Sequence, residues 1–434
     1  MSPVRRHDHR SDYRHDERNG RCSERAGDHP GVQNAHPGAH RSAHSVGLSH
    51  VLTHLITPLL MCVGMGLAYL GAFANPALHD LPVAVVGSGQ SAQLLAQSLN
   101  DKAGGELEVR TVADRSTAVD QLKQQKIFGA YVMNSFVTQS VGAKGTGGGG
   151  GAAPGAAPRA SKPAPELIVA TAGSDTTASV VQKVFMPIAA EQGAPLKVTD
   201  VAPPAEDDPT GQGIFFLLVA ISIGSYASVA VIGGAGAVLA LRLRAGLATG
   251  TSFVVSIIGT LFAGPVFHLV DHGLWGLWGM AWLYSAGILL IGTGLHTFLK
   301  RWTTLGVMTL FVMLNFTSSG GIFRPEMQNG FFAALHSFWN GAGFVEGTRS
   351  HVYFDGYGLA GHVWTLVLWL VAGLLMVGVA ALAEKRRRTA EANAAANAAA
   401  VAAAAVAATV PEPTAKRKAW EEASEEEIEE AVGV

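Results

Sequence analysis

The most distinctive polar and aromatic residues of this 434-residue sequence lie between positions 317 and 350. A run of Thr, Ser and Gly there interrupts an apolar stretch before it has fully reached spanning length, and an amphipathic run with aromatic side chains on one helical face follows. A broken backbone at membrane depth must be covered by protein or water. The predicted translocation or gating region consists of Ser318, Ser319, Gly320, Gly321, Phe331, Phe332 and Arg349. A simple interfacial cap is the alternative interpretation.

Short motifs of common enzyme chemistry are missing from the sequence. It contains no G-x-x-x-x-G-K-[ST] phosphate loop, no G-x-S-x-G elbow and no HExxH. The segment 86–92 resembles a dinucleotide-binding turn, but it lacks the third glycine, so a plain tight turn is favoured. The histidines of the N-terminal tail match no zinc spacing. We therefore expect no enzyme, no catalytic residue, no metal and no cofactor.

Ionisable side chains inside the apolar stretches are limited to His54, His268, His296 and His362. Each lies within one or two helical turns of the end of a stretch, where lipid head groups can solvate an imidazole. A structural role is therefore favoured over a proton relay. A relay would instead make the chain a proton-driven exporter.

Six apolar stretches meet or approach the length needed to cross a hydrocarbon core of about 30 Å as a helix. None contains Lys, Arg, Asp or Glu, although 15% of the chain is charged. They cover 51–74, 213–241, 247–270, 273–299, 302–323 and 362–383. The pattern predicts an α-helical polytopic membrane protein with about six transmembrane helices. The long polar segment before the first stretch favours an uncleaved anchor over a signal peptide.

Basic residues mark one side of this predicted bundle. Eight arginines precede the first span, Arg242 and Arg244 follow the second, Lys300 and Arg301 follow the fourth, and four basic residues at 385–388 follow the sixth. Connections that carry Lys and Arg stay in the cytoplasm. Both termini are therefore predicted to be cytoplasmic, and the location to be the plasma (inner) membrane of a bacterium.

Between spans one and two, the composition becomes that of a globular domain. Strand patterns at 82–86, 107–112, 129–133, 167–170 and 196–201 alternate with helical patterns at 91–100, 117–125 and 177–192. This order predicts a small external α/β domain. A segment rich in Gly, Ala and Pro at 142–165 predicts a flexible insertion within it.

The predicted organisation follows from these boundaries. It comprises a disordered, His/Arg-rich cytoplasmic tail (1–47), transmembrane helix 1 (48–75), the external domain (76–212), a domain of transmembrane helices 2–6 (213–384) with a broken outer region (317–350), and a cytoplasmic tail (385–434). Glycine-rich spans indicate close packing, either within the chain or in a homodimer. The lipid bilayer is the expected partner, and the net charge of −2 gives no reason to expect nucleic acid.

Three stretches carry a resemblance to a known family. They are Leu81–Val86, Ala118–Met133 with Lys126–Val132 inside it, and Thr317–Gly321 through Phe331 and Phe332 to Arg349. Together with the order of the spans, they resemble the ABC type-2 permease superfamily, and more closely its phage-infection-protein branch, over about residues 48–385. The resemblance implies a permease-type fold, and it implies that any ATPase would be a separate chain. Such a subunit would dock on the loops at Arg242, Arg244, Lys300 and Arg301.

The favoured function is export of a hydrophobic or envelope-related compound by a permease-type membrane protein. The alternative is a non-transporting envelope scaffold or secretion-accessory protein whose external domain binds a partner. The external domain and its predicted flexible insertion suit this second function equally well.

Overall fold

The computed structural model describes residues 39–73, 76–133, 164–409 and 414–433. The chain divides into two compact units, Met1–His54 and Leu55–Val434. Helix α1 (Ala39–Phe73) begins in the first unit, directly after Pro37 and Gly38 and earlier than the predicted residue 48, and it continues through Pro58. The predicted disordered tail otherwise lies outside the described residues.

A five-stranded mixed sheet with three helices forms the described part of the α/β domain, as the strand and helix patterns predicted. Its elements are β1 (Leu81–Val86), α2 (Gln90–Ala103), β2 (Leu107–Val112), α3 (Arg115–Lys123), β3 (Ala130–Val132), β4 (Glu166–Val169), α4 (Asp175–Glu191) and β5 (Lys197–Asp200). The strand order is β2-β1-β3-β4-β5, and only the β3–β4 pair is antiparallel. Most of the predicted insertion at 142–165 lies outside the described residues.

Strand β1 is buried on both faces, which explains its continuous apolar sequence. Leu81, Val83 and Val85 pack into one apolar cluster with residues of α2 and α4. Ala84 and Val86 pack into a second cluster with residues of α3. The domain therefore has a core of its own on each side of the sheet.

Five helical segments of the described chain are long and apolar enough to cross a membrane. They cover Ile56–Phe73, Gly213–Val238, Leu241–Val266, Leu274–Ser318 and Leu359–Thr409. The second consists of α5 (Gly213–Gly234) and a 3-10 turn, and the third consists of α6 (Leu241–Leu261) and a π-helical turn. The predicted start of the third span, at 247, is therefore too late, because the helix already begins at Leu241.

The segment Leu274–Ser318 is a helical hairpin that joins the predicted fourth and fifth spans. Helix α7 (Leu274–Leu299) ends at Lys300, whose φ is +48°. The chain then continues through α8 (Thr303–Met308), a π-helical stretch (Thr309–Met313) and α9 (Leu314–Ser318). The amide of Asn315 lies 2.6 Å from the hydroxyl of Tyr284, which a straight helix would separate by about 46 Å. The chain thus reverses direction at Lys300.

Two short helices and two long ones complete the chain. They are α10 (Gly330–His336), α11 (Asn340–Tyr353), α12 (Leu359–Thr409) and α13 (Thr414–Val432). Helix α9 ends before the predicted end of the fifth span at Phe323. Helix α11 packs against α5, α7, α9 and α12, so the broken region is enclosed by other helices.

Candidate functional site

A turn that requires glycine follows the end of helix α9. Gly320 adopts a left-handed φ of +73°. A Cβ atom at this position would lie 2.6 Å from Cε1 of His336 and 3.0 Å from Oε1 of Glu346. A larger residue would therefore strain the backbone and collide with two side chains. Glycine allows α10 and α11 to close over the turn.

Three charged side chains, here called the outer ion cluster, are buried beside this turn: Arg324, Glu346 and Arg349. The carboxylate of Glu346 accepts hydrogen bonds from Arg324 at 2.8 Å and from Arg349 at 2.9 Å. Arg349 also donates to the carbonyl oxygens of Gly320 at 2.8 Å and Gly321 at 3.2 Å. Since Glu346 and Arg349 are three residues apart in α11, one helix face presents both.

The electrostatics of the outer ion cluster keep Glu346 ionised. Burial alone raises the pKa of this carboxyl, but the positive charges of Arg324 and Arg349 outweigh burial and lower the pKa to about 2. Two guanidinium groups face one fully buried carboxylate. Glu326 lies 3.9 Å from Nε of Arg324 and adds a second, more exposed negative charge. The two positive charges of Arg324 and Arg349 are therefore balanced by the two carboxylates, Glu346 and Glu326.

The outer ion cluster also joins the helical bundle to the α/β domain. Arg324 donates to the side-chain oxygen of Gln125 at 3.1 Å, and its guanidinium lies 4.8 Å from the ring centroid of Phe128. The backbone amide of His79 donates to the carbonyl of Glu326 at 2.8 Å. The α/β domain therefore rests directly on the broken segment.

Deeper in the bundle, four polar side chains form what we call the interior network: Ser222, Tyr284, Asn315 and Asn340. All four residues are 0% exposed. The Tyr284 hydroxyl contacts Ser222 and accepts from Asn315 at 2.6 Å, while Asn340 donates to the Tyr284 carbonyl at 3.3 Å. The Asn315 oxygen accepts from the amide of Gly341 at 2.6 Å, which ties α9 to the start of α11. Polar bonds of this kind hold helices together in lipid.

The structure brings five of the seven predicted gating residues together. Arg349 binds the carbonyl oxygens of Gly320 and Gly321, as described above. The hydroxyls of Ser318 and Ser319 donate to the carbonyl oxygens of Leu314 at 2.6 Å and Phe316 at 3.0 Å. These two hydroxyls therefore satisfy the local backbone, and both serines are fully buried.

The other two predicted gating residues, Phe331 and Phe332, lie apart from the turn, on helix α10. The Asn329 side chain accepts from both of their backbone amides and so caps this helix. The two rings line an apolar groove of about 460 Å³ with residues of α1 and α8, among them Gly64 and Leu305. His336, at the end of α10, contacts the glycine turn, because its Nδ1 lies 2.9 Å from the Ser318 carbonyl oxygen.

The basic residues predicted as docking loops lie in different environments. Arg244 is buried and pairs with Glu384 of α12. Arg242 is exposed in the first turn of α6, and Lys300 and Arg301 are exposed at the tip of the hairpin. The Arg301 guanidinium lies 5.3 Å from the ring centroid of Trp302.

No metal site is formed by the described residues, among which no three His, Cys, Asp or Glu side chains converge. The side chain of His54 lies outside them. His268 is 63% exposed in its side chain and lies 3.9 Å from Asp207. His296 contacts the hydroxyl of Thr303 at 3.1 Å.

Several residues of the site escaped the sequence prediction. Arg324 and Glu346 were not among the predicted gating residues, although Glu346 precedes Arg349 by three residues, a spacing that predicts a contact on one helix face. The interior network escaped because it contains no ionisable group of the kind sought in the spans. Tyr284 and Ser222 stand in continuous apolar sequence, and no local pattern distinguishes them.

Comparison with known proteins gives no match for this chain among the models of protein families, the curated proteins or the solved structures.

Proposed function

We propose that this chain is a permease-type integral membrane protein that exports a hydrophobic or envelope-related compound. The observation that carries the proposal is the outer ion cluster, which couples a soluble domain to a broken helix enclosed in the bundle. Charges buried at such depth are costly, and in membrane proteins they mark functional pathways. Three charged groups beside a glycine turn form an element that could rearrange as cargo passes.

The proposed topology has six crossings, because the hairpin around Lys300 supplies two. Its 45 residues are too long for a single pass through a core of about 30 Å. The ion pair of Arg244 with Glu384 places two of the basic connections at the same end of the bundle. Contacts of the α/β domain with Arg324 and Glu326 support its position at the other end, outside the cell.

A separate ATPase is the proposed energy source, docking at the exposed Arg242, Lys300 and Arg301 with Arg244 holding the loop. This part of the proposal rests on the family resemblance. It predicts that an ATPase co-purifies with the chain in mild detergent.

Transport of an NBD-labelled phospholipid into inside-out membrane vesicles of the native host tests the proposal. We expect ATP-dependent protection of the probe from dithionite, and its loss when the gene is deleted. Re-expression of the wild-type gene in the deletion strain serves as the control and should restore the protection. Absence of both an associated ATPase and any effect of deletion on this probe or on envelope composition would count against export.

An envelope scaffold remains the second candidate, and one observation favours it. Strand β5 is an edge of the sheet and is largely exposed, including Val198. Edge strands offer unpaired backbone groups to another protein. Under this alternative, a Val198→Pro variant would lose a partner that the wild type captures, while transport would not be measurable in either protein.

A further inference from the structure

A small cavity lies beside the tip of the hairpin, between α5, α7 and α8. Its volume is about 160 Å³, and Lys300 and Arg301 stand among its lining residues. Tyr226 and Thr304 also line it. In the described part of the chain, neither basic residue makes an ion pair, and neither of the two hydroxyls makes a hydrogen bond. Four donors without an ion-pair or hydrogen-bond partner among the described residues therefore line one cavity, although the Arg301 guanidinium also contacts the Trp302 ring.

The remaining polar wall is fixed by a chain of hydrogen bonds. The Thr303 hydroxyl donates its only proton to the Lys300 carbonyl at 2.7 Å. Nδ1 of His296, 3.1 Å away, must therefore be the donor in its bond with Thr303. These bonds hold the Lys300 turn, whose left-handed backbone is uncommon for a residue other than glycine.

The chemistry of the cavity selects an anion with an apolar attachment. Among its described lining residues none is Asp or Glu, and an apolar wall is formed by Val229, Ala230 and Val307. Clustered Lys and Arg side chains bind phosphate groups. The Lys ammonium group acts as a compact positive charge, and the planar Arg guanidinium group can donate two parallel hydrogen bonds. In the proposed six-crossing topology, the cavity lies at the ends of membrane-crossing helices, with its apolar wall on the side of the lipid acyl chains.

We propose that this cavity binds the phosphate-ester head group of an anionic lipid. Lys300 and Arg301 contact the phosphate oxygens, Tyr226 and Thr304 donate hydrogen bonds, and the apolar wall receives the glycerol end. The site does not depend on export, since it would bind lipid in a scaffold equally well. A zwitterionic head group is disfavoured because its ammonium group would face two cations.

Binding of dioctanoyl phosphatidate to the purified full-length chain, followed by native mass spectrometry, tests the proposal. We expect binding at least about tenfold tighter than that of dioctanoyl phosphatidylcholine, and loss of about tenfold or more in the variant K300Q/R301Q. The matched control K385Q/R386Q removes the same charge near the same end of the bundle without touching the cavity. It should retain binding within about twofold.

A second variant distinguishes binding of lipid inside the cavity from attraction of lipid to surface charge. A Cβ at Gly234, another lining residue, would meet no atom within 4 Å, so Gly234→Phe can fill the cavity while both cations remain. This variant should also lose phosphatidate binding. Equal losses in K300Q/R301Q and K385Q/R386Q, unchanged binding in Gly234→Phe, or equally tight binding of inorganic phosphate would each overturn the lipid site.

Discussion

Among single residues, Glu346 supplies the buried negative charge that neutralises the outer ion cluster. It accepts from both Arg324 and Arg349, and its residue is 2% exposed. Removing its charge leaves two guanidinium groups facing each other without a buried counter-ion. The cluster therefore depends on this carboxylate more than on either arginine.

We expect Glu346→Gln to destabilise the folded protein by about 3–5 kcal/mol, the usual cost of leaving a buried charge unpaired. A lowered Tm in detergent, followed by tryptophan fluorescence, would measure this effect. Glu326→Gln is the control, because that carboxylate is 3.9 Å from Arg324 and partly exposed. It should cost less than about 1 kcal/mol. Equal shifts in both variants would contradict the assigned role of Glu346.

The depressed pKa of Glu346 gives a pH dependence with a definite sign. The folded pKa, about 2, lies below the value of 4.5 for a free carboxyl. Its stabilisation is therefore fully present above pH 4.5 and is lost as the pH falls toward 2. Tm should drop across this window in the wild type and drop less steeply in Glu346→Gln. Parallel curves for the two proteins would show that another group is responsible.

At the scale of elements, the contact between α9 and α11 depends on a glycine. A Cβ at Gly341 would overlap the side-chain amide of Asn315, whose oxygen also accepts the Gly341 amide hydrogen bond. The start of α11 can approach α9 only without a side chain there. Small residues have this role in close helix packing within lipid.

Gly341→Ala should therefore lower Tm by several degrees, because Asn315 must move and the interior network around Tyr284 must open. Gly279→Ala in α7 is the matched control, since a Cβ there meets no atom within 4 Å. Alanine favours the helix by up to about 1 kcal/mol over glycine, so the control should be neutral or stabilising. A stabilised Gly341→Ala variant would show that α9 and α11 are not in close contact.

Elements were predicted more accurately than the site. Alternating apolar residues predicted β2 with the bounds that the structure has, Leu107–Val112. The continuous apolar run predicted β1 over 82–86, and the strand begins one residue earlier, at Leu81. The buried ion pairs could not be predicted in this way. One partner of Glu346 is Arg324, which lies 22 residues away in the chain and outside helix α11, so no local pattern links the two. The π-helical stretch at Thr309–Met313 likewise has no local signature.

At the scale of the whole molecule, the α/β domain and the helical bundle share one interface. Phe128 contributes its ring to Arg324, while Lys123 forms an exposed ion pair with Asp355 at 2.9 Å. The first contact involves a buried guanidinium and the second two solvated groups. The interface should therefore depend on the aromatic contact and very little on the ion pair.

Phe128→Ala should increase amide hydrogen exchange of residues 319–329 by about tenfold or more, because the domain no longer covers Arg324. Lys123→Ala, the control, should leave exchange there nearly unchanged. Hydrogen exchange measured on the full chain in detergent would compare the two variants with the wild type. Faster exchange confined to the α/β domain itself would contradict coupling across the interface.

The proposed topology, in which hydrophobic helices cross a membrane with the α/β domain outside, can be tested directly by labelling. After Cys22 and Cys62 are replaced by serine, single cysteines at Ser116, Ala240 and Ser424 can report on it through an impermeant maleimide in spheroplasts, since Ala240 lies between the apolar segments that end at Val238 and begin at Leu241. We expect Ser116→Cys to be labelled in intact spheroplasts, and Ala240→Cys and Ser424→Cys to react only after permeabilisation. Labelling of Ser424→Cys in intact spheroplasts, or protection of Ser116→Cys, would contradict this topology.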